Sequence, residues 1–254
     1  MTCSKRRLEI LKKLLEGRKV QKELSDELQT RPANLAFQIK LLENSGIVKR
    51  SGRTIQLTDT GLLLVKSLEK FAMNIETIMK FENLWKGHIT ECIPEEFVIR
   101  LYQLNNGSVV EASPEDLEKA HRAYLDLVSK SRNLMGVSPI FHPEYVDVFL
   151  EVASKGASIS LVFTKQVVKK LLDEYMEALK EAEKYDLKLF VYGDEIKVAF
   201  TVSERFLSFG LFTRDGEYDF FRDLISMSPE AIQWGMDLFH YYARRSEVLD
   251  VSLI

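Results

Sequence analysis

The apolar positions of residues 1–58 fall into three short helical rows followed by a pair of β-prone runs, and few folds accept that order. Leu8, Leu11, Leu14 and Leu15 recur at helical spacing, which predicts an amphipathic helix stopped at Gly17. Val20, Leu24 and Leu28 predict a second helix, from about Val20 to Leu28. After Gln29-Thr30 a third helix is expected from Arg31 to Asn44. Thr30 is its expected N-cap, Leu35, Ile39 and Leu42 its buried stripe, and Ser45-Gly46 its end. The runs Ile47–Arg50 and Arg53–Thr58 then flank Ser51-Gly52, read as a two-residue hairpin turn.

Helix, helix, tight turn, helix and basic hairpin is the plan of a winged helix-turn-helix. Such a module reads duplex DNA by placing short polar side chains at base edges while a basic wing grips phosphates. At about 100° per residue, Ala33, Asn34 and Phe37 point away from the apolar stripe, with Arg31, Gln38 and Lys40 beside them. Asn34 and Gln38 are suited to adenine and Phe37 to a thymine methyl, while Lys49, Arg50 and Arg53 form the wing. Charge agrees: residues 1–70 carry 15 Lys and Arg against 8 Asp and Glu, and the remaining residues carry 20 against 30. The competing reading is a winged helix used only as a protein-contact adaptor.

From Gly61 a long helix is expected, to about Trp85. Leu64, Leu68, Phe71, Ile75 and Ile78 are spaced 4, 3, 4, 3, with Val65, Ala72 and Met79 alongside. That repeat suits a seam between paired helices, hence a homodimer. It also suits a helix packed on its own C-terminal domain.

Beyond Ile93-Pro94 the pattern alternates. Helices are expected over 114–131, 143–155 and 166–185, and strands over 134–137, 158–163 and 187–192, implying a parallel core. Phe97–Tyr102 reads as a strand or short helix. Period-two alternation at Ile196, Val198, Phe200 and Val202, then Phe206–Phe212, predicts hairpins turning at Gly193-Asp194-Glu195 and Asp215-Gly216. A last helix opens at Ser228-Pro229 and runs to about Arg245. Its aromatic residues, Trp234, Phe239, Tyr241 and Tyr242, read as core. The fold expected is α+β: a winged helix-turn-helix over 1–60, a connector helix over 61–88, and an α/β sensing or dimerisation domain with a mixed sheet over 89–254.

Several phrases carry a resemblance. Leu35–Val48 followed by Leu57-Thr-Asp-Thr-Gly61 resembles the recognition-helix and wing signature of prokaryotic winged-helix regulators. Trp85-Lys-x-His88 before Ile93-Pro94, Ser138–Tyr145, Phe206–Asp219 and Ala231–Tyr242 resemble an archaeal family of winged-helix regulators of the methanogenesis-regulator type. That resemblance covers nearly the whole chain. It implies transcription control in an archaeon, and a C-terminal half similar to one unit of the phospholipase-D-like fold, which other archaeal regulators use to bind small molecules.

Catalytic signatures are missing. A phospholipase-D site needs His-x-Lys, but two residues after the four histidines stand Thr90, Ala123, Glu144 and Tyr242. No Gly-x-Ser-x-Gly, phosphate loop, Gly-x-Gly-x-x-Gly or His-Glu-x-x-His occurs. Ser138 and His142 could be nucleophile and base, but they suit turn and cap positions better. His88 and Cys92 are two potential ligands, which do not make a metal site. The expectation is therefore a regulator without enzyme activity, cofactor or metal. Its effector loop is expected at Ser138, His142 and Tyr145, roofed by Thr164 and Lys165, with Lys165 suiting a small anionic molecule. The alternative role for this half is a platform for dimerisation, or for a sensor kinase or RNA polymerase. Two cysteines, Cys3 and Cys92, suit a reducing compartment, and no secretory signal or run of ~20 apolar residues is seen, so a cytoplasmic protein is expected.

Overall fold

The computed structural model describes residues 5–249, so Cys3 lies outside the described residues. The chain divides into two compact units, 1–73 and 74–254. The fold class is the expected one: a winged helix-turn-helix, a long helix, then an α/β domain with a mixed sheet.

The first unit contains α1 (Lys5–Leu15), β1 (Lys19–Val20), α2 (Gln21–Glu27), α3 (Pro32–Asn44), β2 (Val48–Ser51) and β3 (Thr54–Leu57), and most of α4 (Asp59–Lys80). Ile10, Leu11 and Leu14 of α1, Leu24 of α2, the Leu35/Ile39/Leu42 stripe of α3 and Ile55 of β3 bury together. The three strands pair antiparallel in the order β1-β3-β2. β1 was not expected; Lys19 and Val20 pair with Ile55 and Thr54, widening the wing.

Local chemistry moves three boundaries. Thr30 is not the cap of α3: Arg31 takes the extended N-cap backbone (φ −64°, ψ 133°), because Pro32 occupies the first helical position. The second helix starts after Val20, whose N–H donates to the Glu23 carboxylate (2.9 Å). The wing turn is Gly52-Arg53, one residue later than read, since Ser51 still pairs with Thr54.

Two glycines explain the wing signature. Gly46 (φ +68°) ends α3 in left-handed backbone, where Ile47 N–H donates to Leu42 O (3.0 Å) and Gly46 N–H to Glu43 O (2.9 Å). Thr58 then joins both ends of the wing. Its hydroxyl lies 2.6 Å from Gly46 O and accepts the Gly61 N–H (3.0 Å), capping α4. A Cβ on Gly61 would lie 1.9 Å from Ile47 O, so only glycine fits there.

Helix α4 ends at Lys80, earlier than expected. Phe81 leaves helical backbone (φ −104°, ψ 26°) to bury its ring, and α5 (Glu82–Gly87) follows. Residues 74–80 are anchored in the second unit: Asn74 Oδ1 accepts the Tyr102 N–H (2.8 Å) and its amide donates to Val98 O (3.1 Å). Phe71, Ile75, Ile78 and Met79 stay exposed.

The rest of the second unit comprises α6 (Glu95–Val98), β4 (Ser108–Glu111), α7 (Lys119–Ser129), β5 (Asn133–Ser138), α8 (Pro143–Ser154), β6 (Ser158–Thr164), α9 (Lys165–Glu174), α10 (Met176–Ala182), β7 (Leu187–Tyr192), β8 (Val198–Ser203), β9 (Leu207–Leu211), β10 (Arg222–Ser226), α11 (Pro229–Ala243) and β11 (Ser246–Leu249). One eight-stranded sheet runs β11-β7-β6-β5-β8-β9-β10-β4. β5, β6 and β7 are parallel, and every other pairing is antiparallel. Gly193-Asp194-Glu195 therefore closes no hairpin, because the chain crosses from β7 to pair β8 against β5. The β8–β9 hairpin turns instead at Glu204-Arg205, where Ser203 Oγ accepts the Arg205 and Phe206 N–H groups (3.0 and 3.2 Å). The helix expected over 166–185 breaks at Tyr175, whose backbone (φ −131°, ψ 29°) sets its ring on Phe141 (4.9 Å). The start of the helix expected at 114 is a turn, with Ser113 and Asp116 bonded backbone to backbone, so α7 begins at Lys119.

Helix α11 covers one sheet face. Trp234, Leu238, Phe239 and Tyr242 pack with Val198, Phe200 and Val202, and the Trp234 indole donates to Phe97 O (3.2 Å). Helices α8, α9 and α10 bury a second apolar cluster with Ile159, Leu161 and Leu189 on the strands. No helix among the described residues is long and apolar enough to cross a membrane.

Candidate functional site

In the first unit, burying Leu35, Ile39 and Leu42 forces the opposite face of α3 outward. Ala33, Asn34, Phe37 and Lys40 are exposed, Phe37 to 61%. Arg31 is exposed at the helix start and Lys49, Arg50 and Arg53 on the wing. Two of the expected contacts are less free. Gln38 is half-buried, with its Oε1 enclosed and unpartnered. Arg50 Nε pairs with Glu43 (2.9 Å), and its Nη2 lies 3.4 Å from Gln21 Oε1. Gln21, which sequence reasoning missed, also donates to Pro32 O (3.4 Å), so it ties the start of α2 to the start of α3.

In the second unit the expected effector loop borders a cavity of about 130 Å³. Ser138, His142 and Tyr145 line it, but Thr164 and Lys165 do not. Thr164 Oγ1 is spent capping α9, accepting the Val167 N–H (3.4 Å), and Lys165 is exposed. Ser138 donates to Ile140 O (2.8 Å), so its hydroxyl hydrogen is committed to a turn. Much of the wall is apolar, including Val146, Phe149, Leu161, Phe163 and Leu171.

The polar end of the cavity comes from residues not singled out in the sequence. Asp223 of β10 is buried, with Oδ2 accepting from Ser208 Oγ (2.5 Å) and Oδ1 unpartnered. Burial pushes its carboxyl up to about 7. Tyr124 of α7 is half-buried, but its hydroxyl lies inside, 3.0 Å from Thr201 Oγ1. Burial raises the phenols of Tyr124, Tyr145 and Tyr218. Around them the rings form a connected wall: Tyr124–Tyr145 5.4 Å, Tyr145–His142 5.1 Å, His142–His121 4.8 Å and Tyr218–Phe220 4.8 Å. Burial, with His121 second, lowers the His142 pKa, and its Nδ1 has no partner.

At the rim, ligand atoms of His121, His142 and Glu144 lie within 4.8 Å of one another, and His121 Nε2 is 2.8 Å from Glu144 Oε2. They are the residues that could hold a metal ion. His88 and Cys92 do not combine. His88 is buried with Nδ1 2.6 Å from Leu84 O and Nε2 3.0 Å from Asp219, whereas the Cys92 thiol faces Ile89 O (3.1 Å). Burial raises that thiol to about 11.

Two family profiles match along the chain: the N-terminal domain of the methanogenesis regulatory protein FilR1 over residues 1–78, and the middle domain of the same protein over 117–245. The chain belongs to the FilR1 family. The two profiles cover the winged helix with most of α4, and the strands and helices that enclose the cavity. The methanogenesis regulatory protein FilR1 of Methanothrix harundinacea (strain 6Ac) is 28% identical over 235 residues, which are 90% of this chain and 52% of that protein. The chain thus spans about half the length of that relative. Among solved structures, TrmBL2, described as an archaeal chromatin protein with a novel mode of DNA binding, aligns at TM-score 0.46 and 12% identity, covering 96% of this chain and 94% of its own. The phospholipase D family member Nuc from Salmonella typhimurium aligns at 0.44 and 11%, covering 56% of this chain and 98% of its own. Neither likeness is close enough to carry function.

Proposed function

We propose that this FilR1-family chain is a sequence-specific transcription regulator that binds double-stranded DNA as a homodimer and senses a small effector in its second unit. The observation that carries the reading is the outward face of α3. Asn34, Phe37 and Lys40 project opposite a fully buried stripe, next to a hairpin whose Lys49 and Arg53 are exposed. Exposed polar groups on a rigid helix beside a basic wing suit base edges and phosphates respectively. The regulatory name of the family and of its Methanothrix harundinacea member supports the transcription-regulator part of this reading.

In this reading residues 1–60 read DNA, 61–88 connect and dimerise, and 89–254 sense. Asn34 and Phe37 contact bases. Gln38 joins them only by turning its enclosed amide outward. Arg31, Lys40, Lys49, Arg50 and Arg53 contact phosphates, with Arg50 positioned by Glu43. Phe71, Ile75, Ile78 and Met79, left exposed along α4, meet a second copy. The protein acts on DNA in the cytoplasm, and the Ser138 hydroxyl, which donates to Ile140 O, is not poised as a nucleophile.

The test is selection of bound fragments from a pool of host genomic DNA by the purified chain, followed by titration of the recovered sequence across salt concentrations. The expected result is one enriched sequence motif bound with a steep salt slope. Salt-dependent binding without any enriched motif would remove sequence-specific reading, and absence of DNA affinity would leave a protein-contact adaptor.

A further inference from the structure

We propose that the cavity of the second unit is a receptor for a small alkylammonium ion, whose charge meets Asp223 and whose alkyl groups lie against the surrounding aromatic rings. The proposal names the ligand class of the sensing site and so rests on the effector-sensing reading.

Unpartnered atoms point to the ligand first. Among the described residues, five buried side-chain polar atoms have no hydrogen-bond partner, and two of them, Asp223 Oδ1 and His142 Nδ1, belong to residues lining this cavity. An enclosed, unsatisfied acceptor is costly, and a ligand that donates to it recovers that cost. Asp223 is anchored rather than loose, because Ser208 holds its other oxygen at 2.5 Å and the Phe209 backbone N–H also bonds its carboxyl. The preferred partner of a fixed carboxylate in an apolar chamber is a donor or a cation.

The walls select among cations. A metal ion or a bare ammonium needs several oxygen or nitrogen ligands around it. Here the lining that Asp223 shares offers few oxygens, chiefly Thr201, Ser208 and the tyrosine hydroxyls, against a run of phenyl, phenol and imidazole rings linked through contacts of 4.8–6.4 Å from His121 through His142 to Phe220 and Tyr218. Ring faces attract the diffuse charge of an alkylated ammonium, as in aromatic cages for quaternary nitrogen. Size agrees: about 130 Å³ is close to the ~150 Å³ cavity that admits benzene, which fits an ammonium with three or four small alkyl groups.

Positive charge nearby does not oppose this. Arg222 lines the cavity, but its guanidinium is paired with Glu111 and lies 3.8 Å from Asp219. Lys165, the cation expected to welcome an anion, does not line it. A buried carboxylate without a free lysine beside it repels an anionic effector, so the ligand has the opposite sign from the one the sequence suggested.

The probe is tetramethylammonium chloride, titrated calorimetrically into the full chain at pH 8 with no DNA present. Sodium chloride, tert-butanol and sodium acetate are the matched salt, neutral and anionic controls, and zinc chloride tests the rim histidines. Saturable binding of tetramethylammonium alone is expected, weakened at least about tenfold in Asp223→Asn and about fivefold in Phe220→Leu. Phe220 is 42% exposed, so its replacement leaves the fold intact and keeps the test usable if Asp223→Asn misfolds. Lys165→Ala should bind as the parent does. Equal binding of tert-butanol, binding of acetate, unchanged affinity in Asp223→Asn, or zinc binding lost in His121→Ala without any tetramethylammonium binding would each overturn the ligand class while leaving a sensing cavity. No binding of any probe would overturn the ligand class as well.

Discussion

Asp223 makes the stability of the second unit depend on pH in a direction opposite to that of most carboxylates. Its carboxyl moves from an ordinary 3.8 up to about 7 because it is enclosed in the sheet. Below pH ~4 both folded and unfolded chains hold the proton, and the group costs nothing. Between pH ~4 and ~7 only the folded chain holds it, so the unfolded state gains about 1.4 kcal/mol of relative stability per pH unit. Above pH ~7 the penalty levels off at about 4 kcal/mol, roughly three pKa units at that rate. Asparagine keeps the shape and cannot ionise, so Asp223→Asn removes the penalty. The variant should be close to the parent at pH 4, more stable by about 2 kcal/mol at pH 5.5 and by about 4 kcal/mol at pH 8. The phenols of Tyr124, Tyr145 and Tyr218 stay protonated throughout. His142 is present in both proteins, so its contribution largely cancels in the difference. Both tryptophans, Trp85 and Trp234, lie in the second unit, so urea unfolding followed by indole fluorescence isolates that unit from the other. A stability difference that stays flat from pH 4 to pH 8 would show that Asp223 is ionised in the folded chain at low pH and would refute the reasoning.

Further predictions concern the first unit and α4. Asn34→Ala should relax preference at one or two base pairs by about 1–3 kcal/mol, measured by competition between the selected site and its point variants. Lys49→Ala with Arg53→Ala should weaken binding to every sequence and reduce the slope of log affinity against log salt by about 2. Phe71→Glu with Ile78→Glu should shift sedimentation toward a monomer without changing helix content, since both side chains are exposed. Gly61→Ala should destabilise the winged helix by about 1–3 kcal/mol or more, read as faster amide exchange in α3 and the wing, because its methyl would meet the Ile47 carbonyl.

The winged helix was legible because each of its elements has an unambiguous signal. The Leu35/Ile39/Leu42 stripe sets the face of α3, Gly46 stops it, and Thr58 with Gly61 starts α4. The misreadings there are small: a proline outranked Thr30 as a cap, strand pairing extended through Ser51, and the two-residue strand β1 was missed. In the second unit the parallel strands β5, β6 and β7 were readable as compact apolar runs. β4, β10 and β11 were not, because Ser108–Glu111, Arg222–Ser226 and Ser246–Leu249 are each four or five residues long and begin with a polar residue. Missing β10 hid Asp223, whose chemistry comes from neighbours on β9 and α7 that are distant in the chain. Lys165 misled for the opposite reason. Its local context, a charge at a helix start, was read correctly, but Lys165 is exposed and does not line the cavity.

Thr58 and Gly61 also have a mechanical meaning. The end of α3, the root of the wing and the first turn of α4 meet within a few hydrogen bonds, at Gly46 O, Thr58 Oγ1 and Gly61 N–H, with a backbone contact too close for even a methyl group. A joint that tight has little slack, so α3 and the start of α4 turn together as a crank. Helix α4 has 22 residues and so an arm of about 33 Å at 1.5 Å per residue. Within the first unit, a displacement at the start of α4 therefore reaches Asn34 and Phe37, the residues proposed to contact bases, as a rotation of α3.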